Sequence, residues 1–156
     1  MRYLLILFFA LQTHTIFSQN DSVQICKKYN SPLFYSTLSA GLVASHYGLN
    51  QLWYKAYPKT HFHFFNDFNE WLQMDKVGHL YSSFQLTNLF IHANPMYTVN
   101  QKKARIIGSS FAFSYMLSIE LLDGKSTQWG FSKSDFAANT IGVLLANFGD
   151  HSRLKN

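Results

Sequence analysis

The chain has 156 residues, a length that suits a single domain with a buried core. It is 47% hydrophobic and only 13% charged, which excludes an intrinsically disordered protein, since such chains are rich in charge and poor in aromatic residues. The net charge of +5 comes from positive residues spread along the chain, so we expect no nucleic-acid partner and weak attraction to anionic lipid head groups.

The N-terminus reads MRYLLILFFALQTHTIFSQ, in which one arginine precedes an apolar run, Tyr3–Leu11, and a short polar stretch. This order is typical of a secretory signal peptide, and the apolar run is too short to span a bilayer. We therefore predict a signal peptide at residues 1–18 and one helical domain at residues 19–156. The protein is then exported from the cytoplasm. An uncleaved signal anchor is the alternative.

Cys26 is the only cysteine, which excludes an intramolecular disulfide. The residues before it, Val23, Gln24 and Ile25, are not the small residues of a lipoprotein cleavage site. The sequence therefore predicts an ordinary free thiol at this position.

Four stretches without acidic or basic side chains organise the rest of the chain, and each has helical periodicity. Pro32 suits the first turn of a helix, Pro95 ends one, Gly124 follows one, and Ser132 opens the S-K-S-D pattern of a capping box. The predicted helices lie near residues 32–54, 67–93, 100–122 and 133–149. No strand pattern competes with them. The expected fold class is all-α, a small four-helix bundle associated with a membrane.

The first two predicted helices are long enough to span a bilayer, whereas the last two have shorter charge-free cores. Positive residues do not concentrate in the loops that would face the cytoplasm in a four-span arrangement. This weakens the case for four spans, and a bundle partly embedded in the membrane is the alternative. Two stripes of small residues have the spacing of helix contacts, Ala40, Ala44 and Gly48 in the first helix and Ala138, Gly142 and Ala146 in the fourth.

Three of the predicted helices carry pairs of polar residues on one face. The pairs, three or four positions apart, are Asp75 with His79, Glu120 with Asp123, and Asp135 with Asn139. Charges inside an apolar bundle are costly unless they are paired, so we expect these side chains to share an interior site. The candidate catalytic residues are Asp75, His79, Glu120 and Asp135. The candidate binding residues are Lys76, Asp123, Ser132 and Asn139.

Each of these residues also has a simpler structural interpretation. Asp135 could serve the capping box with Ser132. Asp75 and Lys76 could form a solvated pair near a helix start, and His79 could be a core histidine with satisfied hydrogen bonds. Together these interpretations must coincide with the main concentration of carboxylates in the chain, so we favour a shared polar site.

The polar residues form three motifs that stand in a fixed order. They are D-K-x-x-H (Asp75, Lys76, His79), E-x-x-D (Glu120, Asp123) and S-x-x-D-x-x-A-N-x-x-G (Ser132, Asp135, Ala138, Asn139, Gly142). With the stretch GLNQLWYKAYPKTHFHFFNDFNEWLQMDKVGH, they make the chain resemble the YfiM-like family of uncharacterised bacterial envelope proteins, regarded as periplasmic lipoproteins. That resemblance covers nearly all of the predicted mature chain, and it implies a location in the bacterial cell envelope, on the periplasmic side or in the outer membrane. The motif order is also similar to that of VanZ-like membrane proteins, whose second motif usually has Gln in place of Asp123. Neither resemblance implies an activity.

Two classes of function fit these residues. The first is a structural or binding envelope protein, in which Lys76 neutralises a carboxylate and Asn139 bridges others. The second is a metal-dependent or acid/base hydrolase acting on a lipid or cell-wall substrate. Its candidate ligands for a divalent metal such as Zn, Mn or Fe are Asp75, His79 and Glu120. No HExxH, GxSxG, phosphate loop or cysteine pair is present, which favours the first class. A small-molecule or ion carrier is the weakest interpretation, because the chain is short.

Overall fold

The structure is a computed structural model that describes residues 31–67 and 71–153. The signal peptide predicted at residues 1–18 and Cys26 lie outside these described residues. Four α-helices pack together, which confirms the predicted helical bundle. They are α1 (Ser31–Leu52), α2 (Met74–His92), α3 (Gln101–Asp123) and α4 (Lys133–Arg153). Two strands of two residues, β1 (Phe64–Phe65) and β2 (Phe131–Ser132), and two 3-10 turns, Tyr54–Ala56 and Trp71–Gln73, lie between them.

The helix α2 packs against both α3 and α4 at points where a glycine allows close approach. A Cβ atom on Gly142 of α4 would clash with the Ser83 hydroxyl and the Leu80 carbonyl oxygen of α2. A Cβ atom on Gly108 of α3 would lie 2.7 Å from the backbone nitrogen of Ile91. Ile91 itself is fully buried. Small residues therefore bring the three helices together, and the stripe predicted in the fourth helix is confirmed.

The helix α1 lies on the outside of the bundle and touches it through a few side chains. The Tyr35 hydroxyl donates to Asn94 Oδ1 at 3.1 Å, and His46 Nε2 lies 2.6 Å from Ser118 Oγ. The small-residue stripe predicted in this helix makes no such packing: Ala40 and Ala44 are exposed, and a Cβ atom on Gly48 would meet nothing within 4 Å. That part of the prediction was wrong because spacing alone does not say which face of a helix meets a neighbour.

The second helix begins at Met74, seven positions later than its predicted start at residue 67. Leu72 and Gln73 have positive φ angles of 50° and 64°, a left-handed conformation that interrupts a right-handed helix. Further upstream, β1 pairs in parallel with β2, so that Phe65 lies opposite Ser132. The unpredicted strand pair holds the segment that leads to Asp67 beside the start of α4.

Among the described helices, α3 alone is long and apolar enough to cross a membrane by length and composition. We expected the first two helices to be the better candidates. Only 22% of the most apolar window of α3 is buried, and its exposed large apolar residues are Ile106 and Leu121. The exposed side of α4 is also apolar and carries Ile141, Leu144, Leu145 and Phe148.

Candidate functional site

A polar cluster lies among α2, α3, α4 and the segment before α2. Its members, called the polar cluster below, are Asp67, Asp75, Lys76, His79, Glu120, Asp135 and Asn139. Five of the six residues in the polar pairs predicted on three separate helices therefore meet in this cluster, and Asp123 is the exception. Burial is uneven across the cluster, because Glu120 is 1% exposed whereas the side chain of Asp75 is 47% exposed. The cluster is thus buried at one end and open to solvent at the other.

Lys76 forms ion pairs with the three aspartates of the polar cluster. Its Nζ lies 2.7 Å from Asp67 Oδ2 and donates to the Asp67 carbonyl oxygen at 3.1 Å. Asp135 Oδ1 lies 3.4 Å from the same nitrogen, and Asp75 Oδ2 lies 3.9 Å from it. The side chain of Lys76 is only 11% exposed, so this ion pair is shielded from bulk water. Lys76 is therefore a buried counter-ion. The simpler interpretation, a solvated lysine near the helix start, does not describe it.

His79 contacts the cluster through both ring nitrogens. Nδ1 lies 3.2 Å from Glu120 Oε1 and 3.3 Å from Asn139 Oδ1. Nε2 lies 3.7 Å from Asp75 Oδ1 and 4.0 Å from Asp135 Oδ2. The two neighbours of Nδ1 are acceptors, so the ring proton belongs on Nδ1 and the Nε2 lone pair faces the two aspartates.

Two buried carboxylate oxygens have no hydrogen-bond partner among the described residues. They are Glu120 Oε2 and Asp135 Oδ1. Glu120 Oε1 accepts from Asn139 Nδ2 at 3.4 Å, so only one end of that carboxylate is satisfied. Asp135 Oδ1 has Lys76 within ion-pair distance, at 3.4 Å, but without the geometry of a hydrogen bond. Buried polar atoms are nearly always bonded, so these two oxygens call for an explanation.

The start of α4 shows why Asp135 reaches the cluster. Ser132 Oγ accepts from the Asp135 backbone nitrogen at 3.1 Å, which is the N-cap that the S-K-S-D pattern predicts. Ser132 Oγ and Ser134 Oγ both donate to Asp67 Oδ1 at 2.8 Å. The backbone of Asp135 thus serves the cap, while its carboxylate is directed toward Lys76 and His79. Capping and membership of the cluster are compatible.

Asp123 lies apart from the polar cluster and has its own partner. The Tyr54 hydroxyl donates to Asp123 Oδ1 at 2.7 Å. Burial, and then the charge of Asp123, raise the pKa of Tyr54 well above its usual range, so the hydroxyl stays a donor. Burial also raises the pKa of Asp123 to about 6, against the opposing effect of the Tyr54 hydrogen bond.

The pKa values within the cluster separate into two groups. Burial, followed by the nearby charge of Asp135, raises the pKa of Glu120 to about 8. Burial and a hydrogen-bonded contact with Asp67 raise the pKa of Asp135 to about 7. Burial also opposes the ionised form of Asp67, but several hydrogen bonds, of which that from Lys76 is the strongest, together outweigh it and hold the pKa of Asp67 well below its usual range. Burial lowers the pKa of His79, so the ring is neutral at pH 7.

The cluster has more carboxylates than cations. It brings together four carboxyl groups, whereas Lys76 is its one permanently charged cation among the described residues. Burial is the main cause of the raised pKa values of Glu120 and Asp135, and neighbouring carboxylates add to it, because holding a proton removes a buried charge.

One group of three side chains in the described part of the chain could hold a metal ion. Asp75, His79 and Asp135 each offer a ligand atom, and these atoms lie within 4.8 Å of one another. The sequence-based ligand set had Glu120 in place of Asp135. Glu120 contacts the opposite ring nitrogen of His79, Nδ1, so it lies behind the ring and outside this group.

Two residues of the site were missed by the sequence analysis. Asp67 makes the shortest ion pair of the cluster, and Tyr54 bonds Asp123. Both lie in the aromatic segment before α2, at no helical spacing from their partners. The one signal in the sequence for a further acidic partner was the pair of serines just before Asp135. In the structure, Ser132 and Ser134 both donate to Asp67.

Comparison with known proteins places the site in a family. Neither the curated proteins nor the solved structures contain a match to the chain. A family model described as "Predicted periplasmic lipoprotein (DUF2279)" matches residues 63–150, a range that includes every member of the polar cluster and leaves α1 outside. That description makes the chain an exported protein of the bacterial cell envelope and implies a lipid anchor. By this match over more than half of its length, the chain belongs to the DUF2279 family of predicted periplasmic lipoproteins.

Proposed function

We propose that this chain is a YfiM-like, membrane-associated envelope protein whose polar cluster binds a ligand. The predicted signal peptide at residues 1–18 delivers one helical domain, residues 19–156, to the envelope. The three motifs that suggested kinship with YfiM-like and VanZ-like proteins supply six of the seven cluster members, which supports a shared role for them.

The observation that carries the binding role is the unbonded Glu120 Oε2. Glu120 is 1% exposed, and one of its oxygens has no hydrogen-bond partner among the described residues. A network that served only to hold helices together would gain stability from full satisfaction of its polar atoms. Leaving a buried carboxylate oxygen unbonded costs about 1–3 kcal/mol. Functional sites often carry such a stability cost, and a bound ligand removes it.

The exposure of Asp75 supports the same role, because it makes one end of the cluster accessible from solvent to a ligand. Asp75 and His79 stand one helical turn apart, and the carboxylate is half-exposed while the ring is mostly buried. A ligand that enters beside Asp75 reaches His79 directly and needs no opening of the bundle. The surplus of carboxylates favours a ligand with positive charge.

Membrane association is supported by surface composition and by family. The apolar side of α4, with Ile141, Leu144, Leu145 and Phe148, is exposed, as are Ile106 and Leu121 of α3. Lipids of the envelope membrane are therefore the expected partners of these surfaces. The polar cluster would then lie close to a membrane surface.

A hydrolase acting on a lipid or cell-wall substrate is the second candidate. The favouring observation is the pair of acids with pKa values near neutrality, Glu120 at about 8 and Asp135 at about 7, on either side of His79. Such groups can give and take protons at the working pH of an envelope enzyme. Incubating the purified protein with envelope lipids and with cell-wall fragments, followed by mass spectrometry, tests this candidate. Hydrolysis that is lost in Glu120→Gln would replace the binding role by a catalytic one.

The binding role is tested with Glu120→Gln and His79→Ala. Glutamine keeps the shape of Glu120 but removes the buried carboxylate, so we expect an unchanged or higher melting temperature and loss of function. Function is scored as recovery of detergent resistance in a strain that lacks the gene. The control is His92→Ala, which changes an exposed histidine of the same helix. If both cluster variants melt far lower and lose function in proportion, the cluster is structural and the binding role is wrong.

A further inference from the structure

We propose that Asp75, His79 and Asp135 bind one divalent transition-metal ion, such as Zn²⁺, Mn²⁺ or Fe²⁺, while Glu120 and Asn139 orient the histidine ring. The proposal rests on the binding role above and names the ligand class. It also changes the ligand set that the sequence predicted, with Asp135 in the place of Glu120.

The distances fit a metal with little rearrangement. Ligands bound at about 2.0–2.2 Å in a tetrahedral site lie about 3.4 Å from one another. His79 Nε2 lies 3.7 Å from Asp75 Oδ1 and 4.0 Å from Asp135 Oδ2. These two pairs of atoms need to close by only a few tenths of an ångström, and all three ligand atoms lie within 4.8 Å of one another. Asp75 and His79 are one turn apart on α2, and the cap at Ser132 fixes the start of α4 from which Asp135 projects.

The surroundings of His79 prepare Nε2 to be a ligand. A metal-bound histidine usually donates its other ring N–H to a carboxylate or carbonyl oxygen, which fixes the ring and raises its basicity. Here Nδ1 faces Glu120 Oε1 at 3.2 Å and Asn139 Oδ1 at 3.3 Å. Asn139 Nδ2 in turn donates to Glu120 Oε1 at 3.4 Å, which sets the direction of the amide. These two residues are positioning residues and do not touch the ion.

An unbonded buried oxygen of Asp135 points independently to a missing cation. Asp135 is 4% exposed, and its Oδ1 has no hydrogen-bond partner among the described residues. Lys76 is held by Asp67 at 2.7 Å and lies 3.4 Å from Asp135 Oδ1 without hydrogen-bond geometry, so it compensates the Asp135 carboxylate only in part. A divalent ion beside Asp135 supplies the positive charge that the cluster lacks.

The donor atoms select the class of metal. One imidazole nitrogen with two carboxylates suits Zn²⁺, Mn²⁺ or Fe²⁺, whereas Mg²⁺ and Ca²⁺ prefer oxygen ligands alone. Three protein ligands leave at least one coordination position, which faces the solvent-open side at Asp75. Water or an oxygen of a bound anionic group would occupy it.

Calorimetric titration of the full-length protein, extracted in detergent and stripped with a chelator, tests the proposal. ZnCl₂ and MnCl₂ are the probes, with MgCl₂ for comparison. We expect one ion per chain for Zn²⁺ or Mn²⁺ and much weaker binding of Mg²⁺. Asp75→Asn should weaken binding at least tenfold without unfolding the protein, because that side chain is half-exposed. Glu120→Gln should weaken it about 10- to 100-fold through the histidine. His61→Ala, which removes an exposed histidine outside the cluster, should change nothing.

The outcomes separate this proposal from the binding role. No saturable binding of Zn²⁺ or Mn²⁺, or binding that Asp75→Asn leaves unchanged, overturns the metal site. If metal does not bind but Glu120→Gln still loses detergent resistance in the cell, the binding role stands and the ligand is of another class. If metal binds as expected but Asp75→Asn and Glu120→Gln both retain full function, the site exists and the binding role is the part that fails.

Discussion

His79 Nδ1 lies 3.2 Å from Glu120 Oε1, and Asn139 contacts both residues. This contact unites three helices at one point, because His79 is on α2, Glu120 on α3 and Asn139 on α4. It also divides the cluster into an inner side that orients the ring and an outer side, at Nε2, that a ligand can reach.

Lys76→Met should destabilise the fold by about 3–5 kcal/mol, because it leaves the buried carboxylates of Asp67 and Asp135 without their cation. Chemical denaturation of the purified protein measures the change. The matched control is Lys103→Met on the exposed start of α3, which should stay within about 0.5 kcal/mol.

Adding Asp67→Asn to Lys76→Met should restore part of the lost stability, because one of the uncompensated charges is then removed. A double-mutant cycle gives the coupling between the two residues. Strictly additive effects of the two changes would contradict a buried ion pair between them.

Gly142→Ala should destabilise the protein by about 1–3 kcal/mol, because a Cβ atom there would collide with Ser83 and Leu80 across the α2–α4 contact. Gly78→Ala is the control, since a Cβ atom at that position on α2 meets nothing within 4 Å. The control should be neutral or stabilise the helix by about 1 kcal/mol. Thermal melts of both variants compare them, and equal melting temperatures would show that the two helices do not approach as closely as described.

The Asp123 carboxyl should make stability depend on pH. Its pKa is raised by burial to about 6, so the folded protein holds the proton more tightly than the unfolded chain does. This contribution is complete below about pH 4 and is lost as the pH rises through 6. Relative to Asp123→Asn, the wild-type protein should therefore lose up to about 3 kcal/mol of stability across that window. Denaturation curves measured from pH 4 to pH 8 test the difference, and parallel curves would be evidence against a raised pKa.

Tyr54→Phe should move the same transition to higher pH. The Tyr54 hydroxyl donates to Asp123 and lowers its pKa, so removing the hydroxyl leaves burial unopposed. The midpoint of the pH dependence in Tyr54→Phe, compared with the wild type, is the readout. A midpoint that moves to lower pH would mean that the hydrogen bond does not stabilise the ionised form.

The protein should leave membranes with detergent and stay with them in high salt. The exposed apolar residues of α4 and the lipoprotein family both lead to this expectation. Mass spectrometry of the extracted protein also tests the predicted start of the mature chain near Gln19. A mature chain that starts with a lipid-modified Cys26 would contradict that cleavage prediction and agree with the family description. Release by salt alone would contradict membrane association.

The amino-acid sequence by itself determined the helical class, the approximate ends of three helices, the cap at Ser132 and which residues form the polar pairs. These features depend on local physics, namely periodicity, capping and the cost of burying a lone charge, which act within a few positions of one another. The same reasoning named His79 and Glu120 before their contact was known.

Only the tertiary structure decided which groups complete the cluster. Asp67 reaches Lys76 because the strand pair β1–β2 holds its segment beside α4, and no spacing in the sequence encodes a pairing between two strands so far apart. Asp135, and not Glu120, lies beside His79 Nε2, and this depends on the orientation of one imidazole ring among three helices. The tertiary structure also decided which of the two small-residue stripes packs against another helix. Spacing in the sequence defines a face of a helix, whereas the whole fold determines which helix lies against that face.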